Sequence, residues 1–172
     1  MNSDWDLTFG TPGLPGGEVN AVVISGTHTY AGGSFTGKAA QWDGSTWSTL
    51  GSLDGDVYAL ALSGDTLYAG GAFTGRLARW DGAAWQTVGG GLNNTVYALA
   101  ADDGGLYVGG SFTGAGSVTG ADRIARWDGA AWQALGSGAN GVVRAIALRD
   151  ADVYVGGNFT APALNIARWD GG

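Results

Sequence analysis

Cysteine is absent from the 172 residues, which removes disulfide staples, thiolate metal sites and cysteine nucleophiles together and leaves the redox compartment open. Histidine occurs once, at His28, so a zinc site sharing two imidazoles is excluded. Proline is scarce, three residues against 34 glycines. The glycines do not recur at every third position, so they mark turns and close packing rather than a collagen helix. Charge is also sparse: 8 basic and 15 acidic side chains give a net charge of -7. The seven arginines are spread through the second to fourth repeats with acids nearby, so the clustered basic footprint of a nucleic-acid partner is missing. Apolar runs such as Val57 to Leu62 are strand-length, far below the ~20 residues of a membrane helix. A soluble chain with no membrane partner is expected. Met1-Asn2-Ser3-Asp4 has neither a basic start nor an apolar stretch after it, so no signal peptide is visible, and localisation stays unassigned. A chain of this length can bury the core of one domain without staples.

What is present is repetition. YAGGSFTG (Tyr30 to Gly37) returns as YAGGAFTG (Tyr68 to Gly75), YVGGSFTG (Tyr107 to Gly114) and YVGGNFTA (Tyr154 to Ala161). Behind each comes a second signature: QWDGSTW (Gln41 to Trp47), RWDGAAW (Arg79 to Trp85) and RWDGAAW (Arg126 to Trp132), with the fourth copy ending at RWDGG (Arg168 to Gly172). Counted from Val19, Val57, Val96 and Val143, the spacings are 38, 39 and 47 residues, a length that suits four strands per unit. The third is longer because AGSVTGAD (Ala115 to Asp122) is inserted after its FTG turn. The units are 19–56, 57–95, 96–142 and an incomplete 143–172, preceded by a segment at 1–18.

In the second unit VYALAL (Val57 to Leu62), TLYAGGAF (Thr66 to Phe73), RLARW (Arg76 to Trp80) and AWQTVG (Ala84 to Gly89) read as strands. The Ser63-Gly64-Asp65 and Asp81-Gly82 turns between them contain residues that tolerate positive φ. Strict alternation puts Val57, Ala59 and Ala61 on one face of the first strand and Tyr58, Leu60 and Leu62 on the other. Both faces are apolar, so both need cover. Four-stranded sheets stacked radially supply it, with Ala and Gly at the narrow inner end and Trp in the outer wedge. The expected fold is all-β: a single β-propeller over 1–172 with four antiparallel four-stranded blades.

All eight tryptophans belong to the pattern. Trp42, Trp80, Trp127 and Trp169 precede Asp-Gly, and Trp47, Trp85 and Trp132 open the closing strands. Trp5, in WDLTFG (Trp5 to Gly10), supplies the closing segment that the fourth copy lacks. The N-terminal strand is therefore expected to complete the last blade, a velcro closure that leaves no open sheet edge. The Gly-Gly-x-Phe turn and Trp-Asp-Gly-x-x-Trp hairpin resemble bacterial kelch-like propeller repeats over essentially the whole chain, and the internal similarity resembles that of engineered repeat propellers. The resemblance implies architecture; propellers serve as binding proteins, lectins and enzymes alike. Four blades can close as a small monomeric ring, or two chains can form a homodimeric eight-bladed ring in which Trp5 to Phe9 closes the partner's final blade.

Candidate sites are few. His28 lies in a hairpin where the second unit has Thr66, a surface substitution rather than a catalytic base. Asp43, Asp81, Asp128 and Asp170 are read as hairpin residues hydrogen-bonded or salt-bridged to Arg79, Arg126 or Arg168 where an arginine precedes them. Asp54-Gly55-Asp56 and Asp102-Asp103-Gly104 are turns without calcium-loop spacing. Glu18, the only glutamate, falls in a solvated connection, and nothing singles out the pair of carboxyls about 5 Å apart that a retaining glycosidase needs. No catalytic residue, metal or cofactor is assigned. Asn93-Asn94-Thr95 and Asn158-Phe159-Thr160 match the glycosylation pattern. The leading expectation is a non-enzymatic scaffold or binding protein that self-associates. The alternative is a lectin-like propeller that stacks a glycan on Trp47, Trp85 and Trp132, and a glycan-acting enzyme comes last.

Overall fold

In the computed structural model residues 13–171 are described, and they form four antiparallel sheets, each a meander of strands consecutive in sequence. Sheet 1 runs β1 (Val19–Ser25), β2 (His28–Gly33), β3 (Ala39–Trp42) and β4 (Trp47–Thr49). Sheet 2 runs β5 (Val57–Ser63), β6 (Thr66–Gly71), β7 (Leu77–Trp80) and β8 (Trp85–Thr87). Sheet 3 runs β9 (Val96–Asp102), β10 (Gly105–Gly110), β11 (Ile124–Trp127) and β12 (Trp132–Ala134). Sheet 4 has three strands among the described residues, β13 (Val142–Arg149), β14 (Asp152–Asn158) and β15 (Ile166–Trp169). The Trp5 to Phe9 segment expected to close it lies outside the described residues.

Turn chemistry sets the strand ends. Ser63 pairs with Thr66 across a two-residue loop opened by Gly64 at φ 55, the left-handed start that a tight hairpin requires. The second strand of sheet 2 stops at Gly71, short of Phe73, because the chain turns back: the Arg76 amide donates to Phe73 O at 3.0 Å and the Gly71 amide to Arg76 O at 3.0 Å. Arg76 has φ 63, so the third strand starts one residue later than the sequence suggested. Lys38, Arg123 and Asn165 occupy the same turn at φ 66, 65 and 62. The phenylalanine of this turn folds inward: Phe35, Phe73, Phe112 and Phe159 are all 2 % exposed or less.

One expectation is corrected. The register slips between Val57 and Ala59, which pair with the consecutive residues Gly71 and Gly70. This β-bulge spends one extra residue and flips the alternation. Val57 therefore shares a face with Leu60 and Leu62, packed towards sheet 1, while Ala61 packs towards sheet 3. The same slip occurs in β1, β9 and β13.

The sheets stack in chain order, with the first strands β1, β5, β9 and β13 side by side along one edge. At each junction a valine of one sheet sits over a glycine of the preceding one: Val57 over Gly32, Val96 over Gly70, Val143 over Gly109. The expected burial of both faces of the first strand is seen in β5 and β9. It fails for β1, where Val22 is 55 % and Ile24 69 % exposed, and on the outward face of β13, where Ala145 and Ala147 are exposed. Sheets 2 and 3 have a neighbour on each side, and sheets 1 and 4 stand at the two ends of the stack. The insertion at Ala115 to Asp122 folds onto sheet 3, with Ala115 bridged to Leu92 and Val118 and fully buried.

Candidate functional site

The hairpins that carry Trp-Asp-Gly lie on the rim opposite the first strands. Asp43 accepts from the Ser45 and Thr46 amides at 2.8 Å each, Asp81 from Ala83 and Ala84 at 2.9 and 2.8 Å, and Asp128 from Ala130 and Ala131 at 2.9 and 2.8 Å. The Thr46 amide, then Ser45, holds the Asp43 carboxyl down at about 2. Asp81 and Asp128 are lowered by the corresponding amides of Ala84 and Ala131. The expected arginine partners are therefore corrected at these turns. The second carboxylate oxygen takes Gln86 or Gln133, because the turn amides and the facing glutamine are nearer than the arginine. Arg126 instead donates to Gly104 O and lies 5.8 Å over the Tyr107 ring. Only in the fourth copy does the expected pair form, Arg168 to Asp170 at 3.4 Å, and Arg168 also meets Asp152 at 3.2 Å.

Trp47, Trp85 and Trp132 each lean on the tryptophan of the preceding strand, with centroids 5.7, 5.4 and 5.3 Å apart. The Trp85 indole N–H donates to Leu50 O at 2.7 Å and that of Trp132 to Gly89 O at 3.1 Å. Trp85 and Trp132 thus staple sheets 2 and 3 to the sheet before each. Trp132 is buried, while Trp47 and Trp85 are half-buried. In the gap between sheets 3 and 4 is an apolar cavity of about 190 Å³ lined by Leu135, Gly136, Ala139, Val155, Ala167 and Trp169. Gly136 occupies the place of Gly51 and Gly89, which lie against such tryptophan pairs.

His28 starts β2, half-buried and stacked on Tyr30 at 6.3 Å. Asp54 accepts from the Thr74 amide and hydroxyl, which lower its pKa, the hydroxyl most. Asp102 accepts from the Gly104 amide. Glu18 is exposed before β1, its amide donating to Ser34 Oγ at 2.8 Å. Asn93 and Asn140 each tie two loops together by accepting from Thr113 and Thr160 amides at 2.9 Å. Among the described residues no group of three or more His, Asp or Glu side chains is placed to hold a metal ion.

A second strip was missed by the sequence reading. The residue after each origin valine is extruded by the bulge, so Asn20, Tyr58, Tyr97 and Arg144 take equivalent places on successive sheets. Asn20 Nδ2 donates to Val57 O at 2.9 Å, Tyr58 stacks on Tyr97 at 5.8 Å, and the Arg144 guanidinium lies 5.1 Å over the Tyr97 ring. The signal was present at a fixed offset in all four copies, hidden by the assumption of unbroken alternation.

No family model and no curated protein matches the chain. Solved structures do. The chain is similar to the crystal structure of the computationally designed Ika4 protein, with TM-score 0.64 and 21% identity over 91% of this chain and 94% of that one. It also resembles the WD40 β-propeller domain of Doa1, with TM-score 0.57 and 16% identity over 81% of this chain and 48% of that one. The fold is a β-propeller. Each sheet is a blade, the strip of Asn20, Tyr58, Tyr97 and Arg144 runs along the inner edge of the blades, and the aspartate-capped hairpins form the rim. The computationally designed Ika8 protein matches as well, with TM-score 0.57 and 24% identity over 81% of this chain and 43% of that chain. This propeller chain thus spans less than half the length of the Ika8 and Doa1 chains.

Proposed function

We propose that this propeller chain is a non-enzymatic scaffold whose working unit is a ring of eight blades made by two copies. The observation that carries the reading is the contrast in burial between equivalent residues. Leu60 is 6 % exposed between blades 1 and 2, whereas Val22, at the same place in the repeat, is 55 % exposed. Ile166 of blade 4 is 67 % exposed where Leu77 and Ile124 are 0 % and 4 %. Apolar surface of this kind is stabilised by cover, and with sheets 1 and 4 at opposite ends of the stack, two copies is the smallest number that covers both ends at once.

The cavity at Gly136 supports the same reading. Filled blades place a closing tryptophan there, and Trp5 of a second copy is the residue the repeat offers. Light scattering tests the proposal: the expected mass is twice 17.3 kDa, and removal of residues 1–12 or Trp5→Ala is expected to weaken pairing at least ~10-fold. A mass of one chain at high protein concentration overturns it. The kelch-like motif resemblance adds nothing to this reading beyond the architecture. Glycan binding on Trp47, Trp85 and Trp132 ranks second, because those rings already pack on neighbouring indoles. Ligand-dependent quenching of tryptophan fluorescence on a glycan panel is its test.

A further inference from the structure

The three internal junctions share one pattern, and the two end faces carry its two halves. Between blades 1 and 2, a Cβ added at Gly32 would stand 2.5 Å from Val57 Cγ1 and 3.1 Å from Leu60 Cγ. Gly70 is closed in the same way by Val96 and Leu99. At Gly109, Val143 Cγ1 and Ile146 Cδ1 would stand at 2.6 and 3.1 Å. The fourth notch is Gly156, where a Cβ would meet only Ala145 Cβ and Asn165 O among the described residues, both at an ordinary 3.9 Å. The fourth knob is Val19 with Val22, exposed at the other end of the chain.

The junction between blades 1 and 2 adds a polar latch. Lys38, in the left-handed turn of blade 1, crosses to Asp56 of blade 2 with Nζ to Oδ1 at 2.8 Å. In blade 4 that turn position is Asn165. The position of Asp56, just before the knob valine, is held in blade 1 by Glu18. The backbone equivalence is direct: Ala72 N donates to Asp56 O and Ser34 N to Glu18 O, both at 2.9 Å.

We infer that blade 4 of one copy binds blade 1 of a second copy through a specific joint. The partner's Val19 and Val22 fill the notch over Gly156, and the Asn165 carboxamide donates to the carboxylate of the partner's Glu18. The inference rests on the two-copy ring proposed above and names the residues that join it.

The test measures the dimer constant by sedimentation over a dilution series, with near-UV circular dichroism to report blade packing. Gly156→Val fills the notch and is expected to weaken pairing at least ~100-fold while the tryptophan spectrum is kept, since the notch is open in the single chain. Moving the knob across, with Val19→Gly and Gly156→Val together, is expected to restore pairing at least ~10-fold over Gly156→Val alone. Asn165→Lys copies the Lys38 to Asp56 pair and is expected to tighten pairing ~3-fold at low salt, an effect lost at 1 M salt. If the unmodified chain is a monomer, the ring and the joint both fail. If it is a dimer that Gly156→Val leaves intact, the joint is wrong and the ring stands. If Gly156→Val unfolds, Asn165→Lys decides, and an unchanged dimer constant overturns the joint.

Discussion

Blade 2 and the two end blades are written in nearly the same letters and live in different surroundings. Val57 is 0 % exposed and Val19 49 %, although each opens a first strand, is followed by a register slip and lies three residues before an aliphatic side chain. Gly70 touches Val96 and Gly156 touches nothing of that kind. The difference teaches that a repeat specifies a junction as a pair of complementary faces, and that whether a face is filled depends on position in the chain, not on its residues.

The comparison can be broken most forcefully at the glycines. Gly70→Val places a branched side chain against Val96 and is expected to cost about 2–3 kcal/mol of folding stability. Gly156→Val, measured on the dilute single chain, is expected to change thermal unfolding little. Equal losses at the two sites would show that the notches are not open and closed versions of one feature. A smaller contrast is expected at the knobs: Val57→Ala should cost about 2 kcal/mol in denaturant unfolding, whereas Val19→Ala in the dilute chain should stay within about 0.5 kcal/mol. Substantial destabilisation by Val19→Ala there would mean that the end face is covered within one chain.

The smallest effect belongs to the rim and is read by pH. The folded Asp43 carboxyl lies at about 2, below the ordinary 3.8, so its ionised form is favoured by folding. Its contribution is complete above about pH 4 and fades as pH falls towards about 2. Asp43→Ala is expected to lower the melting temperature slightly at neutral pH and to converge with the unmodified chain near pH 2. A melting-temperature difference that stays constant between pH 5 and 2 would show that the turn amides do not set this carboxyl.

Much of the fold was legible because the repeat writes each strand four times, and turns such as Ser63-Gly64-Asp65 have few conformational options. What escaped had local causes. A bulge costs one residue and leaves no mark in composition, so Val57 was assigned the wrong face and the strip from Asn20 to Arg144 went unseen. The rim aspartates were given arginine partners because opposite charge is visible in a sequence, whereas the Ala83 and Ala84 amides that hold Asp81 are invisible until the turn is built. The exposure of Val19 and Gly156 was beyond reach for a different reason: their copies in the middle of the chain are covered, and local pattern is the same in both.

The glycine notch and the valine knob always face opposite ways along the chain, so the protein has a polarity. Joined through the proposed notch and knob, copies added one after another would either curl until the last meets the first or lengthen into a fibre. Curvature alone decides between these fates. In the proposed ring the tilt between successive sheets would therefore also be a count of subunits, and a change that flattened it would replace a ring of fixed size with open-ended growth.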